Sequence, residues 1–332
     1  MTKNLILITG AAGFIGYHTA RKLLEEGVPV LGLDNLNAYY DPALKQARLD
    51  RLKTYPAFQF VLADITQAKA LMSLFETHRP EVVIHLAAQV GVRNSIDAPQ
   101  SYMDANMTGF FNILEACRAY PVKHLLYASS SSVYGNLDAA LSPENQTDRP
   151  LSLYAATKKA NELMAHAYSV GFKIPTTGMR FFTVYGPMGR PDMAYYSFAK
   201  AILNDQSITL YHQGAMKRDF TYVEDVAKVI VSLIDKIPGE ESLGNPVPYR
   251  VLNVGGGVPV DLITFVGILE KKLGMQAVIK YEKADPSEAI ITCADVSGLD
   301  QLLGYHPTTS LEEGLGQFID WMKSSSDLFK GR

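Results

Sequence analysis

The sequence Thr9-Gly10-Ala11-Ala12-Gly13-Phe14-Ile15-Gly16 decides the fold because it joins a strand pattern to a helix pattern. Residues 5–8 before it are all apolar, which is typical of a strand covered on both faces. After it, apolar residues recur at helical spacing as far as Leu24, and Gly27 ends that pattern. A glycine-rich turn at this junction lets a pyrophosphate approach backbone N–H groups at a helix N-terminus. The stretch therefore predicts a dinucleotide-binding turn.

An acidic residue follows at the distance that such a turn requires. The apolar run 30–33 ends in Asp34, 18 residues after Gly16, close to the roughly 20 at which an acid binds the ribose hydroxyls. A carboxylate there repels a 2′-phosphate, so the predicted cofactor is NAD and not NADP. The G-x-x-G-x-x-G spacing differs from G-x-G-x-x-G and is weak evidence alone, since a tight turn without a ligand also uses glycine. Strand, helix and acid together favour the binding interpretation.

Composition narrows the class of protein. The chain has 332 residues, 47% of them hydrophobic and with a formal net charge of −3, which suits a large α/β unit or two domains. No basic block indicates binding to nucleic acid or to an anionic membrane, and no apolar run reaches membrane-spanning length. We therefore expect a cytoplasmic protein. Cys117 and Cys293 have no CxxC spacing, which favours two thiols over a disulfide or a metal pair.

Strand and helix patterns alternate through the first half of the chain. This order predicts a Rossmann-type doubly wound parallel sheet, with ligands beyond the carboxyl ends of the strands. We assign residues 1–186 to an NAD-binding domain, to which segments within about 223–255 return, and residues 187–332 mainly to a smaller α/β lobe that binds substrate. A Gly- and Pro-rich loop is expected over 238–248. The other predicted strands are 58–62, 82–86, 124–129, 176–181, 208–211, 250–253 and 277–281, and the predicted helices are 67–78, 106–120, 154–170, 223–237, 262–273 and 311–322.

The middle of the chain carries a candidate acid–base pair. In Tyr154-Ala155-Ala156-Thr157-Lys158 the phenol and the ammonium share one helix face, and a neighbouring ammonium favours the phenolate. Tyr154 is thus a candidate general base or acid, and Lys158 a candidate partner for the nicotinamide ribose. The spacing is common by chance on solvated helix faces. The run Ser129-Ser130-Ser131-Ser132-Val133-Tyr134-Gly135 strengthens the interpretation, because it brings four hydroxyls to the end of a predicted strand, although a polar turn has the same composition.

From end to end, these motifs resemble the extended short-chain dehydrogenase/reductase family, in its branch that modifies sugar nucleotides. The resemblance implies that Tyr154 is the catalytic base, with Lys158 beside it and Ser130 as its hydroxyl partner. Ser130 is chosen because it lies five residues before Gly135, and Ser131 is the alternative. The implied NAD-site residues are Gly10, Gly13, Phe14, Ile15, Gly16, Asp34, Asn35, Asp64, Ile65, Leu86, Ala87, Ala88, Asn106, Tyr154 and Lys158.

Within this branch, longer strings resemble the group that epimerises UDP-glucuronate and UDP-galacturonate at C4. The resemblance implies that Thr183 and Arg190 lie near the hexuronate carboxylate and Arg218 near the UDP diphosphate. Ser130, Ser131, Ser132 and Arg93 complete the implied substrate contacts. Arg190 and Arg218 also fit plain surface charge, with Arg218 paired to Asp219. The turn Ser287-Glu288-Ala289 departs from the group, which often has Gly-Asp-Val there. The matching strings are Asp34-Asn35-Leu36-Asn37, Tyr39-Tyr40-Asp41, Gln89-Val90-Gly91-Val92-Arg93, Arg180-Phe181-Phe182-Thr183-Val184-Tyr185-Gly186-Pro187, Gly189-Arg190-Pro191-Asp192-Met193-Ala194 and Lys217-Arg218-Asp219-Phe220-Thr221-Tyr222.

Several related activities are alternatives. Ser131 and Ser132 are neutral, whereas related decarboxylases and 4,6-dehydratases carry charged residues at these positions, so the sequence favours epimerisation. A UDP-glucose/UDP-galactose 4-epimerase, a UDP-glucuronate decarboxylase and a non-catalytic nucleotide-binding scaffold stay open. A scaffold would not need Ser130, Tyr154 and Lys158.

The expected protein partner is a second copy of the chain. A homodimer would form if apolar residues of the 106–120 and 154–170 helices packed across a two-fold axis. The alternative is that these residues are buried against the sheet. They are Phe110, Ile113, Leu114, Leu163, Met164 and Ala167.

Overall fold

A seven-stranded parallel sheet forms the centre of the computed structural model, which describes residues 5–136, 141–142, 149–239, 247–283 and 289–325. The strand order is β10-β6-β5-β4-β1-β2-β3, so the direction of winding reverses between β1 and β4. Ligands of such sheets bind outside this reversal point. The predicted Rossmann-type fold is confirmed. The strands are β1 (Ile6–Thr9), β2 (Val30–Asp34), β3 (Phe58–Leu62), β4 (Val82–His85), β5 (His124–Ser130), β6 (Thr176–Phe181) and β10 (Tyr249–Val254).

Helices cover both faces of this sheet, because successive residues of a strand point to opposite sides. Ile6 and Ile8 of β1 pack into one hydrophobic cluster, and Leu7 packs into the other. The first cluster includes α1 and α9, and the second includes α3, α6 and α7. The helices of this half are α1 (Phe14–Glu25), α2 (Pro42–Leu52), α3 (Ala68–His78), α4 (Asn94–Asp97), α5 (Pro99–Tyr102), α6 (Phe110–Ala119), α7 (Leu153–Phe172) and α9 (Val223–Leu233).

Two small sheets and four helices form a second layer of structure beside the main sheet. One sheet has the order β11-β9-β7 and the other pairs β12 with β8. Because α9 packs on α1 and β10 joins β6, part of the chain after residue 186 lies within the main unit. The elements are β7 (Thr183–Tyr185), β8 (Ser207–Tyr211), β9 (Lys217–Tyr222), β11 (Pro259–Asp261), β12 (Val278–Glu282), α8 (Ala194–Leu203), α10 (Leu262–Leu273), α11 (Ser297–Leu303) and α12 (Leu311–Ser324).

The sequence did not predict the helices α4, α5, α8 and α11, and two further helices differ from the prediction. The helix expected over 106–120 begins as a π-helix at Met103–Gly109, and only then continues as α6. The helix α2 was not predicted, because its buried side includes Lys45 and Arg48 and hides the apolar periodicity.

Some sequence expectations fall outside the part of the chain that the structure describes. These are most of the 238–248 loop and Ser287 and Glu288 of the departing turn. Both cysteines are free, with Cys117 buried and Cys293 partly exposed. Among the described residues, no helix is long and apolar enough to cross a bilayer.

Candidate active site

The glycine-rich turn is packed so closely that side chains cannot replace its glycines. Gly10 has φ +73°, and a Cβ there would lie 2.8 Å from the backbone nitrogen of Ala87. A Cβ on Gly16 would lie 2.0 Å from the Gly10 carbonyl oxygen. Gly13 is the N-cap of α1 and provides no side-chain cap, so the first N–H groups of the helix are open to an anion. This cradle fits the pyrophosphate of NAD.

The acid that follows β2 lies directly beside this turn. Asp34 is buried, and its carboxylate accepts hydrogen bonds from the backbone N–H of Ala12 at 3.1 Å and of Leu36 at 2.8 Å. Asn35 Nδ2 donates to Asp64 Oδ2 at 2.8 Å, which joins the ends of β2 and β3. The carboxylate at β2 thus lies where an acid would meet the ribose hydroxyls of NAD.

The ends of β3 and β4 contribute the next predicted cofactor residues. Burial opposes ionisation of Asp64, but hydrogen bonds from Asn35 and Thr66 lower its pKa below the usual range. Ile65 is buried against Gly109, where an added Cβ would lie 2.5 Å from Ile65 Cδ1. After β4, Ala87 N donates to the Thr9 hydroxyl at 3.3 Å, so the 86–88 segment is fixed to the strand that carries the glycine turn.

Asn106 connects this segment to the helix α7. Its Oδ1 accepts from Gln89 N at 2.8 Å, and its Nδ2 donates to Gln89 O and to Thr157 Oγ1, both at 3.0 Å. In the π-helical turn, the carbonyl of Asn106 accepts a hydrogen bond from Asn161 Nδ2 at 2.7 Å. The structure therefore uses the Asn106 amide as a brace within the protein, whereas the family resemblance implies a contact with NAD.

The predicted acid–base residues meet at the carboxyl end of β5. Ser130 lies close enough to the Tyr154 phenol to lower its pKa, and Lys158 Nζ donates to the carbonyl of Ala128 at 3.0 Å. Ala128 and Ser130 are two residues apart, so they face the same side of the strand. The phenol and the amine thus project toward one strand end from neighbouring turns of α7.

The four serines after Ala128 divide between two environments. Ser130 Oγ donates to Ser132 Oγ at 3.1 Å, and Ser131 begins a 3₁₀ turn at Ser131–Tyr134. Ser129 is buried and donates to Glu162 Oε1 at 2.7 Å. The expectation that all four hydroxyls face the cleft is wrong for Ser129, because alternation along β5 turns it inward.

The electrostatics of the pair differ from the sequence expectation. Burial raises the pKa of Tyr154 above its ordinary value, against the nearby Ser130 hydroxyl and the positive charge of Arg190, which both lower it. Burial also lowers the pKa of Lys158 to about 8. The sequence predicts a phenol made acidic by the lysine ammonium, whereas in this structure Arg190 is the cation that acts on Tyr154.

Near Tyr154, the guanidinium of Arg190 forms an ion pair with a carboxylate. Its Nε and Nη2 donate to the two oxygens of Asp192, at 3.1 and 2.5 Å, and Tyr39 Oη donates to Asp192 at 3.1 Å. This ion pair is partly exposed, with 19% of the Arg190 side chain and 29% of the Asp192 side chain accessible. Thr183, the second residue implied at the hexuronate, is partly exposed at the start of β7.

Of the other two predicted arginines, Arg218 lies on β9 and Arg93 lies directly before α4. Arg218 Nη1 donates to the carbonyls of Lys217 and Ile290, at 3.0 and 3.1 Å. The carboxylate of Asp219 instead accepts from the backbone N–H groups of Gly256, Gly257 and Ala294, so the expected Arg218–Asp219 pair does not form. Arg93 lies over the ring of Tyr211, with 4.2 Å between the guanidinium carbon and the ring centroid.

Three site residues were missed from the sequence. Arg48 lies on α2, which the sequence did not predict. Tyr39 and Asp192 occur in strings that resemble the family, but no role was inferred for them. Arg48 contacts Met188, 140 positions away, and Tyr39 contacts Asp192, 153 positions away, so no local periodicity could reveal these two contacts.

Fold and site together define a Rossmann-type enzyme that uses a tyrosine for proton transfer beside a dinucleotide. Residues 6–255 match the NAD dependent epimerase/dehydratase family, and the chain belongs to that family. A probable UDP-glucuronate 4-epimerase of Rhizobium meliloti is 45% identical over 326 residues, which are 95% of this chain and 96% of the relative. The UDP-glucuronate 4-epimerase of Thermodesulfobacterium geofontis is 40% identical and aligns over 98% of both chains.

A solved structure agrees with these relatives. The UDP-glucuronic acid 4-epimerase of Bacillus cereus, in complex with UDP-glucuronic acid and NAD, is 36% identical to this chain. The match has a TM-score of 0.88 and covers 96% of this chain and 99% of that protein. The resemblance to sugar-nucleotide-modifying short-chain dehydrogenases is thereby confirmed.

Proposed function

We propose that the protein is an NAD-dependent UDP-glucuronate 4-epimerase, which interconverts UDP-glucuronate and UDP-galacturonate through a transient 4-keto sugar. The observation that carries the proposal is that Tyr154 and Lys158 meet at the carboxyl end of β5, where Lys158 Nζ donates to the Ala128 carbonyl at 3.0 Å, while Ser130 and Arg190 are close enough to Tyr154 to oppose the rise in its pKa. A proton-transfer group and a permanent cation then face one cleft. The full-length similarity to UDP-glucuronate 4-epimerases supports this assignment.

Tyr154 handles the proton of the reaction. It accepts the proton of the sugar 4-hydroxyl as C4 is oxidised and returns it when C4 is reduced on the opposite face. Ser130 holds the hydroxyl network in place, the positive charge of Arg190 favours the phenolate, and Lys158 is proposed to donate to the nicotinamide ribose. When bound, NAD supplies the hydride acceptor and returns the same hydride, so the reaction consumes no cofactor. The residues proposed to hold it are the glycine turn, Asp34, Asn35, Asp64, Ile65, Leu86, Ala87 and Ala88, while the Asn106 side chain braces the segment after β4.

The neutral side chains of Ser131 and Ser132 favour epimerisation over decarboxylation and dehydration. A 4-ketone next to the C5 carboxylate is a β-keto acid, which loses carbon dioxide readily. Ser131 and Ser132 offer no charged group to assist this loss or to remove water across C5 and C6. The 4-keto sugar is therefore expected to be reduced again at C4 and not to lose carbon dioxide or water.

Four side chains are proposed to bind the substrate. Arg190 and Thr183 receive the hexuronate carboxylate, since a guanidinium suits a planar carboxylate better than any neutral hydroxyl does. Arg218 receives the diphosphate, and Arg93, which packs on Tyr211, lies at the rim. A carboxylate-binding arginine favours UDP-glucuronate over UDP-glucose.

The product of the purified enzyme tests the function. Incubation with UDP-glucuronate followed by NMR should yield UDP-galacturonate. Release of carbon dioxide with a UDP-pentose would indicate a decarboxylase, and conversion of UDP-glucose to UDP-galactose alone would indicate a neutral-sugar epimerase. Tyr154→Phe should lower turnover by at least 10²-fold, in line with loss of a general base, while NAD stays bound. A variant that keeps full activity would refute the acid–base role.

A homodimer formed through α6 and α7 is the second part of the proposal. Phe110, Ile113 and Leu114, which the sequence suggested for the interface, are fully buried against the sheet, so that expectation was wrong for them. Three apolar residues of the same two adjacent helices are exposed, and one of them, Leu163, belongs to the predicted set. They are Phe111, Leu163 and Val170, with 46%, 61% and 44% of their surface accessible. An apolar stripe of this kind suits a two-fold interface with a second copy.

A further inference from the structure

The segment 187–189, which leads from β7 to Arg190, is held by side chains from the first two helices. His18 Nε2 donates to the Pro187 carbonyl at 2.9 Å. Arg48 donates to the next two carbonyls in succession. The distances are 3.0 Å from Nε and 2.6 Å from Nη2 to Met188 O, and 3.1 Å from Nη2 to Gly189 O.

Arg48 also reaches the glycine-rich turn. Its Nη1 donates to the Ala12 carbonyl at 2.9 Å and to Tyr40 Oη at 2.6 Å. The side chain is fully buried, and all five of its N–H groups have acceptors, which are carbonyls and a phenol. Burial of a guanidinium among neutral acceptors is costly for stability. Such a residue is better explained by the geometry it imposes than by the stability it adds.

The backbone that Arg48 holds is in an unfavourable conformation. Met188 has φ +56° although it is not glycine, which costs on the order of 1 kcal/mol. Gly189 has no room for a side chain, since a Cβ would lie 1.7 Å from Tyr195 Oη. Two hydrogen bonds from Arg48 to the Met188 carbonyl stabilise this conformation one residue before Gly189 leads into Arg190.

The segment that enters α2 also contacts the far side of Arg190. Tyr40 accepts from Arg48, and the preceding residue, Tyr39, donates to the carboxylate that grips Arg190. Hydrogen bonds therefore link the cofactor turn through Arg48 to Tyr40, and the adjacent residue, Tyr39, is linked through Asp192 to the guanidinium of Arg190.

We propose that Arg48 is a positioning residue that fixes the position of Arg190 relative to the glycine-rich turn. It thereby determines how tightly the enzyme binds a sugar that carries a carboxylate. The inference rests on the proposed function, because it assigns the sugar carboxylate to Arg190. Arg48 itself touches neither substrate nor NAD; it acts through the 187–189 backbone.

Steady-state kinetics of Arg48→Lys and Arg48→Met test the proposal. Lysine keeps the charge but cannot bond both carbonyls and the turn at once. We expect the KM for UDP-glucuronate to rise about tenfold in Arg48→Lys, equivalent to one lost charged hydrogen bond, and further in Arg48→Met. The kcat should stay within about threefold, and the affinity for UDP, which lacks the sugar, should not change. Arg51→Met is the matched control, since Arg51 is exposed on the same helix.

A double-mutant cycle separates positioning from general damage. If Arg48 acts through Arg190, Arg48→Lys should have little further effect on KM in an Arg190→Met background. An undiminished effect there, an equal loss of kcat, or loss of bound NAD from Arg48→Lys would each overturn the proposal. If Arg48→Met fails to fold, Arg48→Lys still decides the question. Failure of the wild-type enzyme to convert UDP-glucuronate would instead refute the proposed function.

Discussion

At the scale of single residues, the site depends on where charges are buried. Tyr154 and Lys158 are four positions apart, and the helix alone places them on one face. Their ionisation depends on the surrounding protein, which raises the pKa of Tyr154 and lowers that of Lys158 to about 8. Between these two residues, Lys158 is the one whose charge changes near neutral pH.

The Lys158 pKa predicts an alkaline limit to activity. A lysine with a pKa of about 8 is protonated below that pH and neutral above it, so the charge-assisted hydrogen bond proposed from Lys158 to the nicotinamide ribose weakens as pH rises. We expect kcat/KM to fall above about pH 8. In Lys158→Arg the cation persists to above pH 12, so the maximal rate should drop but the alkaline fall should move upward or vanish. An identical alkaline limb in both proteins would contradict this assignment.

At the scale of elements, the turn between β1 and α1 has no free space. The glycines at 10 and 16 face backbone atoms that cannot move without separating β1 from β4 or α1. Its sequence pattern alone predicted both the element and its ligand, because close backbone packing and an open helix N-terminus are local properties.

Two glycine-to-alanine substitutions, one in the closely packed turn and one at an open position of α7, test this packing. In Gly16→Ala the new Cβ would meet the Gly10 carbonyl, so we expect loss of bound NAD and a lower melting temperature. Gly171 lies in α7, and a Cβ added there would have no atom outside its own helix turn within 4 Å. Gly171→Ala should therefore stabilise the protein by roughly 0.5 kcal/mol with NAD retained. The checks are thermal unfolding and the NAD released on denaturation. Normal NAD content in Gly16→Ala would refute the close-packed cradle.

At the scale of the whole molecule, the exposed stripe on α6 and α7 predicts the oligomeric state. Leu163→Glu would place a charge at the centre of the proposed interface, so we expect it to shift the protein from dimer to monomer. Light scattering coupled to size-exclusion chromatography gives the mass directly. Ile263→Glu on α10 is a matched control, because Ile263 is an exposed apolar residue away from the stripe. A wild-type monomer, or a dimer unaffected by Leu163→Glu, would exclude this interface.

The same scale explains which parts of the site could be predicted. The glycine turn, Asp34, Tyr154 and Lys158 follow from spacing along one or two elements, so the sequence was sufficient. The partners of Arg190 were not predictable, because Tyr39 approaches Asp192 from 153 positions away. Likewise Phe110 and Phe111 are both apolar neighbours, and only the packing of α6 on the sheet decides that the first is buried and the second is exposed.

By itself, the sequence determined the parallel fold, the NAD-binding turn and the identity of the acid–base residues. These follow from periodicity and spacing, which are fixed by the geometry of a strand or a helix. Only the tertiary structure decided which cation faces Tyr154, that Ser129 turns inward, and that Arg48 links the turn to Arg190. Burial and hydrogen bonding between distant segments set those features, and neither is encoded in any short stretch of the chain.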